Sequence, residues 1–224
     1  MMNAPSTTSL HYRAFTAADI PTAHALSQAV SWPHRAEDWQ FAAAHGTGFA
    51  AEENAVVIGT GLCWKYGSYR ASLGLVIVSP EHQGRGIGRK LMELLLEQLG
   101  PRITFLHATP AGKPLYEKLD FTVCDTLDQH QGNVSEVSPV ALPDGERLRA
   151  ATADDVPTLI ELATRAYGLE RKAMYAALLE MGESAVLERD GEIGGFSVLR
   201  RFGRGLVLGP VVAMPSPDDC TPGR

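Results

Sequence analysis

Cysteine is scarce in this 224-residue chain: Cys63, Cys124 and Cys220 lie far apart and lack the paired spacing of a zinc or dithiol site. Thiols this sparse exclude a disulfide scaffold and fit a reducing, cytoplasmic compartment. A basic excess is missing too. Lys and Arg number 20 against 26 Asp and Glu, a formal charge of −6, which argues against nonspecific nucleic-acid binding. No apolar run reaches the length of a membrane span, and the opening MMNAPSTTSL carries neither a basic patch nor an apolar core, so no membrane partner is expected. Those first ten residues read as a frayed tail. What the chain does have is 45% apolar content, enough for one large or two small cores.

The most informative stretch runs from Leu73 to Leu99. Leu73, Leu75, Val76, Ile77 and Val78 form a short apolar run, the pattern of a strand buried on both faces. Ile87, Leu91, Leu94, Leu95 and Leu99 then recur at helical spacing, and Gly100-Pro101 supplies the stop. Between strand and helix, Gly84, Gly86 and Gly88 alternate with Arg85 and Ile87, removing side chains that would keep a ligand off the backbone. Amides laid open at the positive end of a helix dipole, with Arg85, Arg89 and Lys90 nearby, make a cradle for a diphosphate. Taken alone, the glycine spacing also fits a tight turn with ordinary basic residues. Counting excludes two familiar cradles. A dinucleotide fingerprint would need glycine where Arg89 or Leu91 stands, and a Walker A loop would need Ser or Thr where Pro114 follows Gly112-Lys113.

The run Val78-Ser79-Pro80-Glu81-His82-Gln83-Gly84-Arg85-Gly86-Ile87-Gly88 resembles the coenzyme A loop of the GNAT N-acetyltransferases, Gln/Arg-x-x-Gly-x-Gly/Ala after a V-x-P strand end. Downstream, Thr109 to Phe121 (TPAGKPLYEKLDF) is similar to that family's N-x-x-A-x-x-L-Y-E-K-L-G-F segment. Two positions depart: Thr109 stands for Asn and Asp120 for Gly, and Asp enters the left-handed conformation at some cost. The resemblance implies an α/β (α+β) GNAT fold, a mixed, mostly antiparallel central sheet flanked by helices. It further implies acetyl-CoA as cosubstrate and acetyl transfer to the primary amine of a small molecule in a ternary complex. A noncatalytic acyl-CoA-binding sensor or regulatory module is the alternative, left open by Thr109 and by Thr104, where some relatives carry a catalytic Glu.

The same resemblance assigns expected site residues. Gln83, Gly84, Arg85, Gly86, Ile87, Gly88 and Arg89 would hold the diphosphate. The backbone of Val76, Ile77 and Val78 would pair with the pantetheine arm like an added strand, and an amide near Val78 would polarise the thioester carbonyl. Tyr116 is the expected proton donor, since a phenol is protonated at neutral pH. His107 is the candidate base, with Glu81, His82 or an ordered water as alternatives. The acceptor would meet the loop between the first two helices, Trp32, His34 and Trp39, with Lys65, Tyr66 and Tyr69 as an opposite wall. Those tryptophans can equally pack the helix pair.

The order of predicted elements is a strand near Tyr12, two helices, three strands ending at Ser79, the Ile87–Leu99 helix, a strand over 103–107, the tyrosine helix and a last strand within 121–134. Then the chain starts again. Arg147 to Pro157 repeats His11 to Pro21 at a shift of about 136, and Gly209 to Pro215 falls on Gly74 to Pro80. The expected organisation is a GNAT domain over 1–138, a linker over 139–146 and a partial GNAT-like domain over 147–224. After Pro215 no glycine loop follows, so this copy is not expected to bind acetyl-CoA by itself. The resemblance, to tandem GNAT-like proteins in particular, implies a substrate-binding or scaffolding unit, with a truncated gene as the alternative. Its unfinished sheet is expected to pack on the first unit or on a second chain, as a homodimer.

Overall fold

The computed structural model describes residues 9–134 and 139–214, and the chain divides into two units, residues 1–129 and 130–224. Cys220 and the proline-rich segment after Met214 lie outside the described residues.

In the first unit β1 (Leu10–Ala14) leads through a 3-10 turn into α1 (Ile20–Ala29) and then α2 (Ala36–His45). Thr16 and Asp19 form a capping box: the Asp19 carboxylate accepts from the Thr16 amide at 2.8 Å and its hydroxyl at 3.0 Å, satisfying donors the helix cannot. Strands β2 (Thr47–Glu53), β3 (Val56–Tyr66) and β4 (Arg70–Val78) follow as an antiparallel meander. Next come α3 (Ile87–Leu99), β5 (Ile103–Phe105) and the short α4 (Lys113–Glu117). The sheet order is β1-β2-β3-β4-β5, with β5 alone parallel to its neighbour.

Two apolar layers sandwich this sheet. On one face Ile20, Ala23 and Leu26 of α1 and Trp39 of α2 pack on Ala50, Leu62 and Ile77. On the other, Ile87, Leu91, Met92, Leu95 and Leu99 of α3 cover Ala51, Ile58, Cys63, Ala71 and Leu73. Small residues let the strands and helix approach. A Cβ on Gly48 would lie 2.2 Å from the Gly61 carbonyl oxygen, and one on Gly61 2.9 Å from Leu95.

The strand expected within 121–134 is not formed: the described residues there have no regular structure and are largely exposed. Their sequence explains this. Asp125, Asp128, Gln129, Gln131 and Asn133 dominate, and Val123 and Leu127 are exposed, so no apolar alternation favours pairing. The left-handed turn expected at Asp120 is present, with φ 63°.

The second unit repeats the first up to the end of its meander. Its strand β6 (Glu146–Ala150), a 3-10 turn, α5 (Val156–Tyr167), α6 (Lys172–Met181) and strands β7 (Glu183–Arg189), β8 (Glu192–Phe202) and β9 (Gly205–Ala213) build a sheet ordered β6-β7-β8-β9. The duplication extends to hydrogen bonds. Arg13 pairs with Asp19 and Glu52, and Arg149 pairs with Asp155 and Glu188 in the same way. Leu159, Leu162, Tyr175, Val186 and Val198 form the buried layer where Ala23, Leu26, Trp39, Ala50 and Leu62 stand in the first unit. On the other face, Leu148, Leu206 and Leu208 occupy the places of Tyr12, Ala71 and Leu73, which α3 covers in the first unit. Here they are 62%, 65% and 61% exposed.

Candidate active site

The site arises where two strands part. β4 and β5 pair only over Arg70–Ser72 and Ile103–Phe105, after which β5 ends and β4 runs on to Val78. The edge of Leu73–Val78 facing away from β3 therefore has no strand partner among the described residues. A bulge redirects it: the step from Thr60↔Ile77 to Leu62↔Gly74 sets an extra residue into β4, and Leu75 takes φ 53°. Buried Thr60 secures the bulge by donating its hydroxyl to the Leu75 carbonyl at 3.0 Å.

A cleft of about 820 Å³ opens along this edge. Leu73 to Val78 form one wall, and Leu106, His107, Thr109 and Tyr116 the other. The glycine loop closes one end, and Val30 and Trp32 also face the cleft. Gly84 and Gly86 take φ 78° and 80°, and nothing stands within 4 Å of where their Cβ atoms would be. Left-handed backbone with open space beside it is what glycine supplies at a ligand cradle. The amides that follow belong to the first turn of α3, before intrahelical acceptors begin, so they remain available to an anion. Gln83 braces the loop by donating to the Val78 carbonyl at 3.1 Å. These residues fit a diphosphate-bearing thioester carrier.

Two basic residues of the loop are engaged. The Arg85 guanidinium is held bidentately by Glu53 at the end of β2, at 2.5 and 3.2 Å, and Arg89 pairs with Glu93 at 2.9 Å. Glu53 escaped the sequence reading because nothing local marks it. Its one signal is in the duplication, where Arg189 stands at the equivalent position.

On the opposite wall, Thr109 replaces the expected Asn and organises α4: its carbonyl accepts from the Gly112 and Lys113 amides at 3.0 Å, and its hydroxyl accepts from the Gly112 amide at 3.2 Å. This presents Tyr116, whose ring meets Phe121 edge-on at 6.1 Å, to the cleft. Burial pushes the Tyr116 phenol above its ordinary pKa, so it stays protonated throughout the neutral range. His107 is exposed at the cleft, and His82 lines it as well. Thr104 donates its hydroxyl to the Arg102 carbonyl, and Glu81 is exposed outside the cleft lining.

The expected acceptor residues divide. Trp32 lines the cleft. Trp39 does not: it is fully buried between α1 and the sheet, donating its indole N–H to Ser27 at 3.2 Å and stacking on Phe15. His34 packs edge-on between Trp32 and Trp39 at 5.6 and 6.3 Å, where burial lowers its pKa. Tyr66 is also a core residue, with its hydroxyl 2.8 Å from Ser72 Oγ and its ring over Phe105, while Tyr69 is exposed elsewhere. Thus His34, Trp39 and Tyr66 do not line the cleft, because their rings are taken up by packing: Trp39 holds α2 on α1 and the sheet, His34 lies against Trp39, and Tyr66 stacks on Phe105 within the sheet. Among the described residues no His, Cys, Asp and Glu cluster could hold a metal, and no helix is long and apolar enough to cross a membrane.

Comparison with known proteins agrees with this geometry. Residues 12–121 match the family model described as "Acetyltransferase (GNAT) family", and residues 159–218 match a second, described as "Acetyltransferase (GNAT) domain". YitH of Bacillus subtilis, an uncharacterized N-acetyltransferase, is 27% identical over 150 residues, a match covering 66% of this chain and 52% of YitH. The chain thus spans about half the length of the curated relative it matches. A Pyrococcus horikoshii protein named among the acetyltransferases superposes with a TM-score of 0.66 at 22% identity, covering 95% of this chain and 74% of that one. A fungal GCN5-related glucosamine N-acetyltransferase region, part of a multi-domain β-N-acetylglucosaminidase, gives 0.61 at 15% identity, covering 88% of this chain and 28% of that one. With two family models matched in tandem on a repeated sheet, the chain belongs to the GNAT acetyltransferases.

Proposed function

We propose that the first unit transfers an acetyl group from acetyl-CoA to the primary amine of a small molecule, both substrates being held together in the cleft. One observation carries the reading: the unpaired edge of β4, the glycine loop and Tyr116 all border the same 820 Å³ space. Gln83, Gly84, Gly86, Ile87 and Gly88 would hold the diphosphate through backbone amides, and Val76, Ile77 and Val78 the pantetheine arm. Acetyl-CoA supplies the activated acetyl group. The Tyr116 hydroxyl holds a proton beside the place where a thiolate would depart, and an amide near Val78 is the candidate donor to the thioester carbonyl. His107, on the same wall, would draw a proton from the acceptor, directly or through water. Trp32 offers the acceptor an apolar face. The matched relatives' names support acetyl transfer and leave the amine to be found.

Release of free thiol from acetyl-CoA in the presence of a panel of polyamines, amino sugars, amino acids and peptides tests this directly. Release that depends on an amine is the expected result. Calorimetric binding of acetyl-CoA with no thiol release on any amine would instead favour an acyl-CoA sensor, and no binding at all would end both readings.

A further inference from the structure

Glu53 closes β2 with only 9% of its surface exposed, yet it reaches 32 positions along the chain to the glycine loop. Its oxygens accept from both terminal nitrogens of Arg85, at 2.5 and 3.2 Å, and His82 Nε2 stands 3.5 Å from Oε2. One carboxylate on the sheet thereby ties down the residue between two of the glycines and stands beside one that precedes them. Gly84 and Gly86 contribute no side-chain packing that would fix the loop, and nothing lies within 4 Å of where their Cβ atoms would be. The duplication supplies an internal control. Arg13, Thr16, Asp19 and Glu52 recur at a shift of 136 with the same hydrogen bonds, as Arg149, Thr152, Asp155 and Glu188. Glu53 does not recur. Arg189 takes its place and pairs with Glu146. What both copies keep serves the shared sheet, whereas Glu53 goes with the loop that the first copy alone displays among the described residues.

We infer that Glu53 is a positioning residue for acetyl-CoA: it anchors Arg85 and His82 so that the loop amides are preset for the diphosphate, and Arg85 acts through Glu53 rather than as a direct diphosphate contact. The inference rests on the acetyl-CoA reading above and replaces the expected role of Arg85 within it.

Calorimetry with acetyl-CoA on the wild type, Glu53→Gln, Arg85→Gln and the double variant separates the two levels. Each single change is expected to raise Kd about fivefold through loss of a charge-assisted pair and loop order, with the double no weaker than either single. In thiol-release assays kcat at saturating acetyl-CoA stays within about twofold while KM rises. A direct Arg85 contact predicts the opposite for Glu53→Gln, which would free the guanidinium and leave affinity equal or tighter. That result overturns the inference and spares the acetyl-CoA reading, whereas a wild type that binds no acetyl-CoA overturns both. Should Glu53→Gln fail to fold, the exchange Glu53→Arg/Arg85→Glu decides: recovery to within about twofold of wild-type affinity supports positioning, and affinity no better than that of Arg85→Gln overturns it.

Discussion

Replacing Tyr116 by Phe removes one hydroxyl and keeps the ring that packs against Phe121. The size of the effect follows from acidities. A thiol has a pKa of about 8.5 and a free phenol about 10, and burial lifts the Tyr116 phenol further. Full proton transfer from Tyr116 to a thiolate is therefore uphill by at least ~1.5 pK units, about 2 kcal/mol. The hydroxyl serves better as a hydrogen-bond donor to sulfur as its charge grows. Such a bond to an anion is worth roughly 1.5–3 kcal/mol, so kcat should fall by about 10- to 150-fold. Binding of acetyl-CoA should change by less than about twofold, because the loop and the β4 edge are untouched. The assay is thiol release at saturating acetyl-CoA from pH 6 to 10. Since burial raises the Tyr116 pKa, the two profiles should run parallel through the neutral part of that range, with the variant lower. Equal kcat values across the range would remove Tyr116 from the chemistry.

Much of this architecture is written in local pattern. Leucines at three- and four-residue spacing specify α3, and its covered face follows directly from that stripe. The duplication is legible because Arg13, Thr16 and Asp19 form a single short motif whose members bond to one another, so a copy preserves all three together. The acceptor side is less legible in local pattern. Trp32 and Trp39 have the same chemistry, and only their positions, one in the α1–α2 connection and one inside α2, decide that the first meets the cleft while the second fills the core. Helical spacing carries the difference: Trp39 and Ala43 share a face of α2, and both join the buried cluster. Glu53 and Arg85 are a different case. Their pairing depends on where β2 ends relative to a loop 32 residues later, information that exists only once the sheet is assembled.

Three further outcomes are expected. Trp39→Ala should cost about 3–5 kcal/mol in urea unfolding, as an aromatic lost from a fully buried place, whereas Trp32→Ala, which removes a partly buried ring, should cost less and raise the KM for the amine. Gly86→Val should abolish acetyl-CoA binding, and Gly100→Val, at φ 63° and ψ −145° in a conformation still less open to a side chain, with equally open surroundings but outside the cleft lining, should preserve it; loss in both would mean that backbone strain, and not an obstructed cradle, is responsible. The last concerns acid. Hydrogen bonding from Arg13 holds the Asp19 carboxyl below the usual range, so the folded first unit binds fewer protons there than the unfolded chain. The stability this contributes is complete above the unfolded aspartate value of about 3.9 and drains away as pH falls through the lower folded value. Arg13→Gln should therefore lower the urea midpoint by a constant amount above about pH 5, with the gap from wild type closing toward pH 2. All three tryptophans, Trp32, Trp39 and Trp64, belong to the first unit, so their fluorescence follows this transition without a contribution from the second unit's own side chains. A gap that stays constant down to pH 2 would mean that Arg13 stabilises through packing of its stem and not through the charge of Asp19.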